Sequence, residues 1–273
     1  MSLRRNRTTP RRSRQGLKRG ESEEPYRDWI KHSSIDRRTR VVLALDLDGK
    51  APSDLLEFGE ALLDHTDEHV CGVRFGRQTV LNLGLSFTRR LTRRVHAGDL
   101  PCIIDDKLSD IGSTNEAITT AYYRLGFDAI IVNPSSGWKG GLEPVYRLSR
   151  KGGQGVIVLA YMSHPGAKET FGQRVFNGAS RKPTYQYEKY ARKAVDWDSD
   201  GIVVGATRPN IIRKLKPIVK GKVPVYSPGI GTQGGDIASA RKAGSDYFII
   251  GRSITRAQEP ANISAKFARA SFS

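Results

Sequence analysis

Short apolar runs alternate with amphipathic segments along most of this chain. Apolar residues recur at three- and four-residue spacing over 53–65, 114–126 and 208–219, the period of a helix that buries one face. Glycines such as Gly126 and Gly244 follow helical segments, as they do where a helix ends. Eight runs rich in β-branched residues are typical of buried strands, namely 41–47, 69–75, 100–106, 127–133, 155–161, 201–205, 223–227 and 246–251.

This alternation of strands and helices predicts parallel strands joined by helical crossovers. An open doubly wound sheet and a closed barrel both fit, but the count of eight strands favours the barrel. A glycine fingerprint of the dinucleotide-binding type does not follow the first strand, which weakens the open sheet further. We therefore predict an α/β fold, a (β/α)₈ TIM barrel over residues 40–273, with functional residues at the carboxyl ends of the strands.

One connection in this pattern is unusually long. It runs from residue 163 to residue 200 and holds Gly172, Gly178 and Pro183. Long connections in compact domains are commonly functional or disordered, so this segment is a candidate lid.

Basic residues are concentrated at the N-terminus of a chain whose formal net charge is +17. Residues 1–20 contain eight lysines and arginines and no acid, so they carry +8 and the remainder carries +9. A segment this polar cannot bury a core, and residues 1–39 are predicted to form a basic, disordered extension. It can contact RNA, DNA or another polyanion; the alternatives are a solvated tail or a start codon assigned too early, since no interleaved aromatic residue favours stacking on bases.

Cysteine usage and hydropathy indicate a cytoplasmic protein. Cys71 and Cys102 lie in strand-like runs without metal-ligand spacing, and we interpret them as reduced core thiols. No apolar run approaches the ~20 residues needed to cross a bilayer, and the arginine-rich N-terminus lacks the apolar region of a secretory signal. We therefore expect no membrane partner.

The third strand ends in an unusual concentration of charge, because Asp105, Asp106, Lys107 and Asp110 lie within six positions. Side chains alternate along a strand, so Asp105 and Lys107 share one face and Asp106 takes the other. If the shared face is the barrel interior, the Asp–Lys pair lies at the carboxyl-terminal mouth. A purely structural ion pair is the alternative, but burying charges costs several kcal/mol per ion, and a site that needs an ammonium group would require it.

A glycine-rich segment after the seventh strand predicts a phosphate site. Gly229, Gly231, Gly234 and Gly235 allow backbone N–H groups to approach an oxyanion closely. Arg252, after the eighth strand, adds a planar guanidinium that can donate two hydrogen bonds to one anion. Loops after strands seven and eight form the common phosphate site of barrel enzymes, whereas a merely tight turn explains only part of this glycine set.

Together these motifs resemble the orotidine 5′-phosphate decarboxylases, in particular the archaeal form. The resemblance rests first on the Asp105-x-Lys107-x-x-Asp110 spacing followed by Ile-x-x-Thr-Asn-Glu, a spacing shared with related phosphosugar decarboxylases and synthases. It is sharpened by Met-Ser-His-Pro-Gly-Ala at 162–167 and by the glycine-rich segment followed by Gly-Arg-Ser-Ile, all in the order of the family. It covers roughly residues 41–262.

The resemblance implies decarboxylation of orotidine 5′-monophosphate to UMP without a metal or an organic cofactor. The implied catalytic residues are Asp105, Lys107 and Asp110, with Lys107 stabilising a ring carbanion and donating a proton. A homodimer is also implied, with Asp110 and Thr114 serving the partner's site. The implied substrate-binding residues are Asp46 or Asp48 and Thr114 for ribose, Ser163 for the pyrimidine, Arg74 beside the ribose, and Gln233, Gly234, Gly235 and Arg252 for the phosphate.

Two positions depart from the family pattern, with Arg74 where the family has a lysine and Gly112 where a proline is frequent. Arginine keeps the positive charge but is larger and planar, so the exchange is not conservative at a tight site. Two other functions stay open. One is a Mg²⁺-dependent phosphosugar decarboxylase or synthase of the same superfamily. Ser163, in a segment of the pyrimidine-binding type, and Gln233 argue against this function. The other is an inactive barrel that binds nucleic acid through its basic arm.

Overall fold

The computed structural model describes residues 24–177 and 180–272. Eight parallel strands form a closed barrel surrounded by helices, which confirms the predicted (β/α)₈ fold, and β6 and β7 form a separate antiparallel hairpin. The strands are β1 Val41–Leu45, β2 Gly72–Gly76, β3 Cys102–Leu108, β4 Ala129–Val132, β5 Gly155–Tyr161, β6 Arg174–Asn177, β7 Ser180–Tyr185, β8 Gly201–Val204, β9 Val225–Pro228 and β10 Tyr247–Ile250. The helices are α1 Tyr26–Asp36, α2 Pro52–Thr66, α3 Arg77–Ala97, α4 Gly112–Leu125, α5 Glu143–Gly152, α6 Gln186–Asp196, α7 Pro209–Val219, α8 Ile237–Ala243, α9 Arg252–Thr255 and α10 Pro260–Phe272.

The eight predicted strands all occur in the barrel, with bounds that differ by a few residues. Strands such as β1, β5 and β10 are buried along their whole length, because one face points into the barrel and the other lies under helices. This burial on both faces explains why the strands are continuous apolar runs in the sequence. Gly126 and Gly244 end α4 and α8 with φ of 102° and 110°, a left-handed conformation that glycine adopts easily.

The carboxyl end of β3 is irregular. Asp105 pairs with Ile131 of β4, whereas the next paired residue is Leu108, opposite Val132. Lys107, within this bulge, has a φ of 54°. A positive φ is uncommon for a residue with a Cβ, and such residues cluster at functional sites. The backbone of Lys107, at the mouth of the barrel, therefore adopts a conformation that its surroundings must stabilise.

Helix α1 covers the end of the barrel at which the strands begin. Its residues Tyr26 and Ile30 are 1% and 2% exposed. They pack against Gly155 and Gly72, the first residues of β5 and β2. A Cβ at Gly155 would collide with the Tyr26 ring, so only glycine leaves room for this packing. The helix is thus part of the core at the end opposite to the mouth.

This helix corrects one prediction. The disordered extension predicted over residues 1–39 is wrong for residues 26–36, which are helical and belong to the folded unit. Tyr26 and Ile30 lie about one helical turn apart and bury a small apolar face against the barrel. This face is too small to change the average composition of a segment rich in charged residues, so the composition predicted disorder. The polyanion contact predicted for residues 1–20 lies outside the described residues.

Polar contacts add to this packing. Arg27 Nε donates to Asp200 Oδ1 at 3.0 Å, and the hydroxyl oxygens of Tyr26 and Tyr226 lie 3.1 Å apart. At the other end of α1, Arg37 Nη2 donates to the carbonyl oxygen of Gly98 at 2.5 Å. Packing and directional hydrogen bonds therefore fix α1 at both of its ends.

The long connection after β5 is largely regular structure. It contains a short 3₁₀ helix at Pro165–Glu169, the hairpin of β6 and β7, and α6. Gly178, one of the residues named in the candidate lid, lies outside the described residues. The lid function of this connection stays a prediction.

Cys71 and Cys102 are both buried, and no disulfide joins them. In the part of the chain that the structure describes, none of the helices combines the length and apolar character needed to span a bilayer.

We expect Tyr26→Ala to lower the free energy of unfolding by about 3–4 kcal/mol, because it removes a buried ring and a hydrogen-bond partner of Tyr226. Urea denaturation followed by tryptophan fluorescence measures the change. Lys31→Ala, on the exposed face of the same helix, is the control and should have an effect below about 0.5 kcal/mol. An equally small effect of Tyr26→Ala would show that α1 does not belong to the folded core.

Candidate active site

Charged side chains from three neighbouring strands form a row of alternating sign at the mouth of the barrel. Lys107 Nζ donates to Asp105 Oδ1 at 2.7 Å, and Arg74 Nε donates to Asp105 Oδ2 at 3.0 Å. The same guanidinium reaches Asp46, with Nη1 2.6 Å from Oδ1. The strand order explains this arrangement, because β1, β2 and β3 are adjacent and end at the same rim. We call this the Lys–Asp–Arg–Asp row.

Asp105 is the most enclosed member of the row, at 8% exposed. Burial would raise the pKa of its carboxyl group, but Arg74 and Lys107 outweigh burial and hold that pKa below its ordinary value of 3.8. Burial likewise opposes the charged form of Arg74, but Asp105 and Asp46 outweigh it and raise the pKa of the guanidinium. Asp105 and Arg74 are therefore both ionised at neutral pH.

The sequence leaves the choice between Asp46 and Asp48 open, and the geometry separates them. Asp46 accepts hydrogen bonds from Arg74 and, at 2.8 Å, from Gln78 Nε2. Asp48 is exposed and does not join the row. Gln78, in the first turn of α3, is a site residue that no sequence motif marks, and its one signal is its position just after the end of β2.

Asp110 and Thr114 lie in the loop after β3 and in the first turn of α4. The exposed Asp110 carboxylate accepts from the backbone N–H of Ile111 at 2.7 Å. The Asn115 side chain holds the Asp110 backbone, donating to its carbonyl oxygen at 2.7 Å. Among the described residues, Asp110 forms no ion pair with Lys107, which pairs with Asp105 instead. A single chain therefore brings together two members of the predicted catalytic set and leaves Asp110 apart.

Ser163 and Gln233 meet farther round the rim, where the connections after β5 and β9 approach each other. Ser163 Oγ donates to Gln233 Oε1 at 2.8 Å. Two glycines leave room for this contact. A Cβ at Gly205 would lie 2.8 Å from Ser163 Cα, and a Cβ at Gly229 would lie 2.9 Å from Gln233 Oε1. The side chains predicted to bind pyrimidine and phosphate thus touch each other.

The glycine-rich loop after β9 is shaped by its own hydrogen bonds. The Gly231 N–H donates to Gly235 O at 2.9 Å, and the Gly234 N–H donates to Gly231 O at 2.7 Å. The Gly235 N–H donates to Gly229 O at 3.0 Å. The amides of Gly234 and Gly235 are therefore engaged within the loop, and their role in phosphate binding stays a prediction.

Arg252 begins the short helix α9 and is exposed at the rim. The backbone N–H of Thr232 donates to Ser253 Oγ at 3.3 Å, which ties the glycine-rich loop to this helix. Gly251 lies beside β1, since a Cβ there would be 3.8 Å from Asp46 Oδ2. The segment predicted to bind phosphate therefore adjoins the Lys–Asp–Arg–Asp row, and the predicted site residues surround one mouth.

Comparison with known proteins identifies a family. The family model described as "Orotidine 5'-phosphate decarboxylase / HUMPS family" matches residues 39–267. The chain is 30% identical over 234 residues to the orotidine 5′-phosphate decarboxylase of Methanosarcina mazei, an alignment that covers 86% of this chain and 96% of that protein. It is 32% identical over 237 residues to the protein of the same name from Thermomicrobium roseum, covering 80% of each.

Solved structures share the architecture. The orotidine 5′-monophosphate decarboxylase of Methanocaldococcus jannaschii, complexed with the inhibitor BMP, matches with a TM-score of 0.70 and 27% identity over 85% of this chain and 98% of that one. The OMP decarboxylase of Leishmania donovani matches with a TM-score of 0.79 over 90% of this chain and 96% of that one. At 23% identity, this second likeness concerns the fold alone.

We expect Arg74→Ala to destabilise the protein by about 3 kcal/mol at neutral pH, because it leaves a buried carboxylate with one cation in place of two. Arg74 lowers the pKa of folded Asp105, so this stabilisation is present above the ordinary value of 3.8 and is lost as the pH falls through the lowered folded value. The difference in the free energy of unfolding between the wild type and Arg74→Ala should therefore become smaller in acid.

Urea denaturation over a pH series measures this difference. Arg74→Lys is the matched control, because it keeps the charge and should recover part of the stability. Suppose instead that the free energies of unfolding of the wild type and Arg74→Ala differ by the same amount at every pH. Arg74 would then not act through the charge of Asp105.

Proposed function

The chain belongs to the orotidine 5′-phosphate decarboxylase / HUMPS family, and we propose that it converts orotidine 5′-monophosphate to UMP and CO₂ through Lys107. The observation that carries this proposal is the 2.7 Å ion pair of Lys107 with Asp105 at the mouth of the barrel. Relatives that share about 30% of its residues over most of their length carry the name of this activity.

The chemistry explains why an ammonium group is needed. When the bond between C6 and the carboxylate breaks, the electron pair stays on C6 in the plane of the ring, where no adjacent carbonyl delocalises it. Lys107 would place a positive charge beside this carbanion and then transfer a proton from Nζ to C6. Asp105 and Arg74 would hold the ammonium group in place before substrate binds, so little reorganisation accompanies the reaction.

The remaining rim residues would bind the parts of the nucleotide that do not react. Ser163 would contact the pyrimidine, Asp46 the ribose, and Gln233, Gly234, Gly235 and Arg252 the phosphate. The 2.8 Å contact between Ser163 and Gln233 supports this division, because it links the ring-binding and phosphate-binding segments. Binding energy from the phosphate can then favour closure over the ring, and the connection after β5 is the candidate lid.

A homodimer would complete each site. Asp110 and Thr114 of one subunit would reach the site of the other, in keeping with an Asp110 carboxylate that is exposed and does not pair with Lys107 of its own chain. Ile111, the next residue, is 64% exposed, and Leu81 and Leu85 on the adjoining α3 are 73% and 66% exposed. Apolar surface of this kind beside a charged site favours a protein partner.

We place this activity in the cytosol, which is in keeping with two buried cysteines that no disulfide joins. The polyanion contact predicted for residues 1–20 stays a prediction.

We expect Lys107→Ala to reduce kcat for CO₂ release by more than about 10³-fold, because it removes both the counter-charge and the proton source. The affinity for UMP should remain measurable by calorimetry, since the ring, ribose and phosphate contacts persist. Absorbance loss of orotidine 5′-monophosphate measures the rate.

Lys151→Ala, an exposed lysine at the end of α5, is the control and should have wild-type kinetics. Near-normal CO₂ release by Lys107→Ala would contradict the proposed mechanism. Loss of UMP binding together with turnover would show that Lys107 supports the site rather than the reaction.

Shared sites predict complementation between inactive variants. Asp110→Ala and Lys107→Ala should each have little activity, but a mixture reassociated into dimers should regain about a quarter of the wild-type rate, since half of the dimers are mixed and hold one intact site. If mixed dimers form, as shown by sedimentation of differently tagged chains, and no activity returns, Asp110 does not act across the interface.

A further inference from the structure

The backbone beside Lys107 is not held by the sheet on its β4 side. Between Asp105 and Leu108 the pairing with β4 skips two residues, and Lys107 has a φ of 54°. A residue with a Cβ keeps such a φ only where its surroundings favour it. The conformation of the peptide group that joins Asp106 to Lys107 therefore depends on contacts other than the pairing with β4.

Arg77, the first residue of α3, provides that contact. Its Nη2 donates to the backbone carbonyl oxygen of Asp106, and its Nε donates to Asp106 Oδ1 at 2.5 Å. Asp106 is 6% exposed, and its carboxylate also accepts from the Tyr122 hydroxyl at 3.1 Å. Burial and the Asp106 charge raise the pKa of Tyr122, so this hydroxyl remains a donor at neutral pH. Side chains from α3 and α4 thus converge on the residue before Lys107.

The contact acts on Lys107 through the peptide bond. A peptide group is planar, so fixing the carbonyl group of Asp106 also fixes the N–H and Cα of Lys107. Arg77 and Arg74 bind different carboxylates, those of Asp106 and Asp105, and do not compete. We propose that Arg77 and Asp106 are positioning residues that hold the backbone of Lys107 so that its ammonium group lies beside Asp105, a role that rests on the proposed function of Lys107.

An ion pair that merely fastens α3 to β3 is the alternative. The Arg77 side chain is 54% exposed, and half-exposed pairs contribute little to stability. The two roles differ in what a substitution changes. A fastening pair affects stability and leaves turnover intact, whereas a positioning contact affects turnover and leaves nucleotide binding intact.

The test compares kcat, KM and the Kd for UMP of the wild-type chain and Arg77→Ala. We expect kcat to fall about 10- to 100-fold, because a small displacement of a catalytic group slows a reaction strongly, while KM and Kd stay within about twofold. Arg77→Lys should recover part of the rate, since one ammonium group can reach one of the two acceptors. Asp106→Ala should lower kcat less, because it removes the carboxylate that orients Arg77 but keeps the backbone carbonyl acceptor. Combining it with Arg77→Ala should add little to the effect of Arg77→Ala alone, because both act through Arg77.

Arg90→Ala is the matched control. Arg90 lies later in α3, beyond the break in the helix at Gly84, where φ is 69°. It is 64% exposed and pairs with Glu60 at 2.8 Å, away from the mouth. The kcat of Arg90→Ala should equal that of the wild type. A wild-type kcat in Arg77→Ala would overturn the proposal, as would a loss of rate matched by an equal loss of UMP affinity.

A second readout does not depend on turnover. In a chain labelled with ¹⁵N-lysine, the Lys107 amide signal is the one missing from the spectrum of Lys107→Ala. Arg77→Ala should shift this signal and Arg90→Ala should not. A wild-type chain without decarboxylase activity would refute the proposed function, and the Lys107 signal would then decide the positioning role alone: a shift in Arg77→Ala supports it, and an unchanged signal overturns it.

Discussion

A buried carboxylate held between two cations is the constraint on which the mouth of this barrel depends. Asp105 is almost fully enclosed and could not remain charged there without Arg74 and Lys107. The dependence also runs the other way, because Asp105 is the group that fixes the ammonium of Lys107. Each charge limits where its neighbours can lie, so the geometry of the ammonium group is set before a substrate binds. This preorganisation is what electrostatic stabilisation of a localised carbanion requires.

The arginine at position 74 suits this constraint. Its guanidinium reaches two carboxylates through different nitrogens, Asp105 through Nε at 3.0 Å and Asp46 through Nη1 at 2.6 Å. A lysine has a single nitrogen and would have to place it between the two acids. The departure from the family pattern therefore keeps the alternation of charge and couples the aspartate proposed to bind ribose to the one that holds Lys107.

Much of the fold can be predicted from the sequence because the barrel strands are buried on both faces and form unbroken apolar runs. The pairing of Asp105 with Lys107 at the mouth can also be predicted, because charged residues at the end of an apolar strand are unusual. The remaining features depend on contacts between distant segments. Tyr26 of α1 packs on Gly155, and Gln78 reaches Asp46 from the first turn of α3. The bulge at Lys107 alters the backbone conformation and the pairing with β4, but no pattern of residue types in the sequence marks it.

The claim that this barrel removes CO₂ from a nucleotide without a metal is tested most directly by one measurement. Orotidine 5′-monophosphate is added to the wild-type chain in excess EDTA, and the products are followed by absorbance and proton NMR. Complete conversion to UMP at an undiminished rate is the expected result. No UMP, a rate that needs added Mg²⁺, or activity confined to a ketose phosphate would contradict it.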